Sequence, residues 1–235
     1  MLRRLLQGIS RALPSQCAVC AAWPAAPVCD ACLARFAPPQ KRCDRCALLL
    51  PSSLAGSTCG RCLRSPPALD ACHAAVDYGY PWAGCIAAFK FEAQPGWAGT
   101  LAALMRQAAG TRATLAAADI VVPMPLPTAR LLERGYNQSL VLARKLAPGR
   151  VDAGLLHRVR DTPAQLSLDR ARRLANVRGA FAADPLRRAR LAGRHVAIVD
   201  DVMTSGASME EAARQLRAAG AARVSGFVVA RTPEG

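Results

Sequence analysis

One stretch limits the fold of this chain more than any other: residues 195–220, HVAIVDDVMTSGASMEEAARQLRAAG. Val196, Ala197, Ile198 and Val199 form a short apolar run, the pattern of a strand buried on both faces. Two adjacent carboxylates follow, Asp200 and Asp201, then Val202 and Met203. A loop of small residues comes next: Thr204, Ser205, Gly206, Ala207 and Ser208. The pattern predicts a helix opening at the end of this loop. Ser208 and Glu211 have the spacing of a capping box, Ala212, Ala213, Leu216 and Ala219 share one apolar face, and Gly220 is a stop.

Strand, loop and helix in this order present backbone N–H groups and a helix N-terminus to an anion. Gly206 lets the backbone turn and approach a ligand, and Thr204, Ser205 and Ser208 add hydroxyl donors. The two aspartates stand at the carboxyl end of the strand, where open α/β sheets bind ligands. Carboxylates repel phosphate, so they must face something else, such as a sugar diol or a metal. A ribose 5-phosphate satisfies both halves. Other phosphate loops fit worse: the chain has no G-x-x-x-x-G-K-[ST], and no G-x-G-x-x-G follows a strand. An ordinary βα turn accounts for the aspartate pair but not for the whole run. The stretch resembles the signature by which type I phosphoribosyltransferases bind 5-phosphoribosyl 1-pyrophosphate (PRPP). That resemblance implies that Asp200 and Asp201 bind the ribose hydroxyls, that residues 202–208 form the PRPP- and phosphate-binding run, and that residues 204–208 within it hold the 5-phosphate. Ser205 stands where a second Thr is usual and keeps the hydroxyl.

Four C-x-x-C pairs fall within residues 17–62: Cys17 and Cys20, Cys29 and Cys32, Cys43 and Cys46, Cys59 and Cys62. Each pair can place two sulfurs on one metal, and two pairs complete a four-thiolate tetrahedral zinc site. The sequence between them has almost no core-forming run, so metal must contribute to its folding. Repeated C-x-x-C pairs without an export signal argue against disulfides and for a reducing, cytoplasmic setting. Two structural Zn²⁺ are expected. Sequential pairing puts Cys17, Cys20, Cys29 and Cys32 in one site and the remaining four in the other. A crossed pairing, first with third and second with fourth, also satisfies the spacing. Cys72 and Cys85 stand alone and read as small buried hydrophobes.

Charge bears on partners. The formal net charge is +15, and eight thiolates on two Zn²⁺ would bring it to about +11. Such an excess favours phosphorylated substrates or a polyanion such as single-stranded DNA, although a solvated basic surface would carry it too. No run approaches the ~20 apolar residues of a membrane span. Residues 1–14 lack the apolar core of a signal peptide and are expected to form a short basic helix.

The remainder alternates strands and helices, which predicts a mostly parallel sheet. Strands are expected at 73–78, 119–122, 155–159 and 223–230, and helices at 81–91 and 97–109. A further helix is expected to contain residues 133–138, where Gly135 is out of place unless something approaches closely. Lys90 lies between Phe89 and Phe91, either held or reaching over an apolar patch. Pro123, Met124, Pro125 and Leu126 end a strand in a rigid loop. An Arg-rich stretch carries Gln165, Arg170, Arg172, Arg173 and Asn176, as a loop closing over anions or a solvated face. The expected domains are residues 1–14, a double zinc ribbon at 15–66 and an α/β body at 67–235.

Taken together, the four C-x-x-C pairs, Phe89-Lys90-Phe91, residues 122–125, Arg134-Gly135-Tyr136-Asn137-Gln138, Thr162 with Gln165, Leu166, Arg173 and Asn176, and residues 199–208 resemble the ComF family over nearly the whole chain. The resemblance implies a type I phosphoribosyltransferase fold, a mostly parallel twisted sheet flanked by helices, behind a double zinc ribbon. It also implies a link to DNA uptake in competent bacteria. In an enzyme, Pro123–Leu126 (residues 123–126) would form the pyrophosphate loop. Asp200, Asp201, Lys90 and Arg134 would be catalytic, Arg173, Asn176 and Gln165 would clamp anions, and Mg²⁺ would accompany PRPP. In the other reading the chain is a non-catalytic adaptor on single-stranded DNA, keeping the PRPP pocket as a sensor or relic.

Overall fold

The computed structural model describes residues 15–160 and 176–233. The expected helix at 1–14, and Gln165 and Arg173 with their neighbours, lie outside the described residues. The chain divides into two compact units, Met1–Pro38 and Pro39–Gly235.

The first unit holds helix α1 (Asp30–Phe36), with Cys29 as its N-cap residue. An antiparallel bridge between Ser15 and Ala25 closes the turn before it. The second unit opens with the same plan: a bridge between Arg42 and Leu49, then helix α2 (Gly60–Arg64) behind Cys59.

The body of the second unit is a sheet of four parallel strands. In chain order they are β1 (Ala71–Asp77), β2 (Ile120–Pro123), β5 (His195–Met203) and β6 (Arg223–Arg231). Their spatial order is β1-β6-β5-β2. β5 and β6 are central and buried along nearly their whole length, as their continuous apolar runs predict. β1 lies at the edge and alternates between buried and half-buried. Two shorter strands, β3 (Leu156–Arg158) and β4 (Phe181–Ala183), make a separate antiparallel pair.

Helices α3 (Trp82–Phe91), α4 (Trp97–Gln107) and α5 (Thr111–Ala116) lie between β1 and β2. Helices α6 (Thr128–Arg134) and α7 (Gln138–Leu146) follow β2, and α8 (Ala207–Ala218) joins β5 to β6. Ile120, Val122, Val196, Ile198, Val224 and Val228 share one apolar cluster with Ala212, Ala213 and Leu216 of α8 and with Leu155 and Phe181. Alternate strand residues face the other side. There His73 stacks on Phe227 with ring centroids 5.2 Å apart and reaches the Ala109 carbonyl beyond α4. The sheet is therefore covered by helices on both faces.

Two expectations need correction. Residues 133–138 do not sit in one helix. Gly135 adopts φ +75° and ends α6, and Asn137 then starts α7 by accepting hydrogen bonds from the backbone N–H groups of Ser139 and Leu140. The capping box at Ser208 is not formed either. Gly206, at φ +82°, is the N-cap residue of α8, so Ser208 falls inside the first turn. Glu211 is 3% exposed and turns inward, accepting from the Gly179 N–H at 2.9 Å.

The second cysteine-bearing segment is sewn to the sheet. The Cys72 N–H donates to the Asp44 carbonyl at 2.7 Å, Arg42 pairs with Asp77 at 2.8 Å, and Ala47 enters the main core cluster. Among the described residues, no helix is long and apolar enough to cross a membrane.

Candidate functional site

Parallel pairing brings the carboxyl ends of β2 and β5 together. Pro123 is in register with Val199, and the Met124 N–H donates to the Val199 carbonyl at 2.9 Å. Residues 123–126 thus leave the sheet beside Asp200 and Asp201. Asn137 holds this loop as well, its Nδ2 donating to the Met124 carbonyl at 3.0 Å.

The two aspartates face different partners. Asp201 is 3% exposed, and its Oδ1 receives Lys90 Nζ at 2.9 Å and the Val202 N–H at 2.6 Å. Its Oδ2 is buried and has no hydrogen-bond partner among the described residues. Asp200 Oδ1 accepts from Ser139 Oγ at 2.8 Å and from the Asp201 N–H at 2.9 Å. Burial, with the neighbouring negative charge of Asp201 second, pushes the Asp200 carboxyl up to about 7, while Lys90 opposes that rise. Lys90 thus pairs with one aspartate, Asp201, while the carboxyl of the other, Asp200, titrates near neutral pH.

Lys90 reaches this position from the last turn of α3, with its side chain 17% exposed. Phe89 is fully buried beneath it, and Phe91 points outward, 67% exposed. The Arg134 guanidinium lies over the Phe91 ring, 4.8 Å from its centroid, with Nε buried and without a hydrogen-bond partner among the described residues. Tyr136 Oη donates to the Phe89 carbonyl, which ties the residue 134–138 element to α3.

The loop after β5 lines an open pocket, formed by Asp200, Val202, Met203, Thr204, Ser205, Gly206, Ala207, Ser208 and Met209. The N-terminus of α8 opens into this loop, and its first backbone N–H groups have no partner within the helix. A Cβ at Gly206 would stand 3.6 Å from Met203 Sδ, an ordinary contact, so the left-handed φ is what calls for glycine there.

Asn176 is described at the edge of the Arg-rich stretch, its carbonyl accepting from Arg160 at 3.0 Å. In the sequence, the one signal that Ser139 carries as a site residue is adjacency to the residue 134–138 element. Arg231 carries one signal in the sequence, a charge at the end of an apolar strand.

The cysteines form two groups, Cys17, Cys20, Cys29 and Cys32, and Cys43, Cys46, Cys59 and Cys62, with all sulfurs in each group within 4.8 Å of one another. This is the sequential pairing. The Cys20–Cys29 and Cys46–Cys59 sulfurs are each 3.7 Å apart. A tetrahedron of Zn–S bonds of about 2.3 Å has edges of about 3.8 Å, so the donor sets fit that ion. Backbone N–H groups of Cys29 and Cys59 donate to Cys17 and Cys43 sulfurs at 3.4 and 3.3 Å. The Cys29 N–H, followed by that of Cys20, draws the Cys17 thiol down to about 6. Both groups could hold a metal ion. Cys72 and Cys85 are buried, and burial pushes the Cys72 thiol up to about 12, as suits an inert core residue.

Residues 139–235 match the family model of the phosphoribosyl transferase domain. The chain is 32% identical over 212 residues to DNA utilization protein YhgH of Escherichia coli K12, covering 87% of this chain and 90% of that protein. The Salmonella typhimurium protein of the same name matches with the same identity and coverage. Competence protein F of Haemophilus influenzae is 32% identical over 181 residues, covering 74% of this chain and 78% of that protein. With a phosphoribosyltransferase domain at its C-terminal end and two four-cysteine groups at the other, the chain belongs to the ComF family.

Proposed function

We propose that the chain binds PRPP and transfers its phosphoribosyl group to an acceptor, releasing pyrophosphate. The observation that carries this reading is the pocket at the carboxyl end of β5, where Asp200 lines the same space as the hydroxyl-bearing residues Thr204, Ser205 and Ser208; at the next position of the strand, Asp201 Oδ2 is buried with no hydrogen-bond partner among the described residues. Leaving a charged acceptor buried without a donor is costly, and a ribose hydroxyl supplies that donor. Residues 204–208 would take the 5-phosphate. Asp200 and Asp201 would take the ribose hydroxyls, and residues 123–126 would line the pyrophosphate. Lys90 would hold the Asp201 side chain in place through their ion pair. In the reaction, a nucleophile forms a bond to C1 as the C1–O bond to pyrophosphate breaks, and the bonding pair leaves with pyrophosphate. Positive charge develops on the ribose ring in between, where the Asp201 carboxylate favours it. Arg134, and outside the described residues Arg173, are the cations proposed for the leaving anion. Mg²⁺ bound together with PRPP would supply neutralisation of the leaving-group charge. Two Zn²⁺ on the cysteine groups would be structural, since four thiolates leave no open position.

The names of the relatives support a role in competence or DNA utilisation. Together with the net charge of +15, they also favour a second reading, an adaptor on single-stranded DNA. Titration calorimetry with PRPP and Mg²⁺ tests the first reading. Asp201→Asn keeps the shape and loses the charge, so affinity should fall about ten- to a hundredfold. Wild-type protein that ignores PRPP at millimolar concentration would overturn it. A screen for pyrophosphate release with nucleobases and single-stranded DNA identifies the acceptor.

A further inference from the structure

A buried guanidinium joins two parts of the second unit that are far apart in sequence. Arg231 ends β6 and is 1% exposed. Its Nη1 donates to the carbonyl of Met203 at 3.0 Å, to that of Thr204, and to that of Thr232 at 2.8 Å. Its Nε donates to the carbonyl of Cys46 at 3.1 Å. Met203 and Thr204 open the loop that lines the pocket, and Cys46 is a member of the second four-cysteine group. One planar fork therefore grips the loop on one side and the cysteine knuckle on the other. A lysine carries its three donors on one nitrogen and lacks the fixed fork that reaches both at once.

The grip has a direction. In a trans peptide the carbonyl and the following N–H point opposite ways. With the Met203 and Thr204 carbonyls turned onto Arg231, the N–H groups of Thr204 and Ser205 point away from it. The buried positive charge also sits directly behind a loop suited to an anion. We propose that Arg231 is a positioning residue for this loop, and that through it metal occupancy of the second cysteine group and anion affinity of the loop are coupled. The identity of the anion rests on the phosphoribosyl reading above; the bridge does not. Coupling of this kind is reciprocal, so the ligand must hold the metal as much as the metal holds the ligand.

The test compares zinc-loaded, full-length wild type with Arg231→Lys. Amide exchange at residues 203–208 should speed up about tenfold, within the usual range of such couplings. Zinc release to a chelator should accelerate for the second cysteine group alone, assigned by alkylation and mass spectrometry. The first group, in the other unit, is the internal control. Affinity for ribose 5-phosphate should fall about tenfold, and ribose 5-phosphate should slow zinc release from the second group of wild type only. If Arg231→Lys keeps both zinc ions and the wild-type melting temperature while its loop exchanges like wild type, the proposal is overturned. Equal acceleration at both cysteine groups would overturn it too, by marking a general loss of stability. Should the variant not fold, wild type with the second group stripped decides: faster exchange at 203–208 supports the bridge, and unchanged exchange refutes it. If wild type shows the exchange coupling but does not bind ribose 5-phosphate, the bridge stands and the phosphoribosyl reading falls.

Discussion

Replacing Lys90 with Met removes the only positive charge described on Asp201 and leaves that carboxylate buried next to Asp200. The ion pair is 2.9 Å long, with side chains 17% and 4% exposed. At an effective dielectric near 20 its gross attraction is about 6 kcal/mol. Desolvation of both groups offsets most of this in the wild type, so the net worth of the pair is small. Removing one partner is different, because the cost of burying the other remains; such losses run about 3–5 kcal/mol. The loss should depend on pH. Asp200 has a folded-state pKa raised above its unfolded value of about 4, and Lys90 opposes that rise, so removing Lys90 raises Asp200 further. A raised carboxyl contributes stability that is present below the unfolded pKa and lost as pH rises through the folded one. Lys90→Met should therefore be severely destabilised at about pH 8 and recover much of the difference near pH 5. Urea unfolding followed by tryptophan fluorescence measures this, with Trp82, 1% exposed on the same helix, as reporter. Lys90→Met/Asp201→Asn should regain most of the loss at pH 8, because no buried charge is then unpaired. The reasoning is refuted if Lys90→Met unfolds like wild type at pH 8, or if the double variant is no more stable than the single one.

Gly206→Val should cost about 1–2 kcal/mol through its left-handed φ rather than through a clash, and should abolish PRPP binding in calorimetry while the fold survives. Purified protein should carry two Zn²⁺ per chain by elemental analysis. Cys29→Ser should expose only the first unit to proteolysis, whereas Cys59→Ser should destabilise the body as well, since Arg231 and Cys72 tie that segment to the sheet. If single-stranded DNA binds, aromatics are too few for extensive base stacking, so affinity in a filter or anisotropy assay should fall by orders of magnitude between about 50 and 200 mM salt; a flat response would count against electrostatic binding.

The sequence by itself determined the strand, loop and helix around Asp200 and Asp201, the parallel α/β body and the two groups of four cysteines as candidate ligands. Each of these is written locally. A four-residue apolar run rich in β-branched residues and bounded by charges suits a strand in a sheet interior, and C-x-x-C places two sulfurs within reach whatever surrounds it. Even Lys90 between two phenylalanines announced itself, but only as held or free. Tertiary structure alone decided which. Parallel pairing set Asp201 against the end of α3, so that Lys90, more than a hundred residues earlier, became its counter-ion. The choice of sequential over crossed cysteine pairing, the turning of Glu211 inward to Gly179, and the contact of Ser139 with Asp200 belong to the same class. So does the grip of Arg231 on Cys46 and Thr204. Periodicity and spacing report what a segment needs to bury or bind within a few residues. Partners brought together by chain crossovers leave no such trace, because the hydrogen bond or charge that completes them comes from an element whose own pattern is satisfied without it.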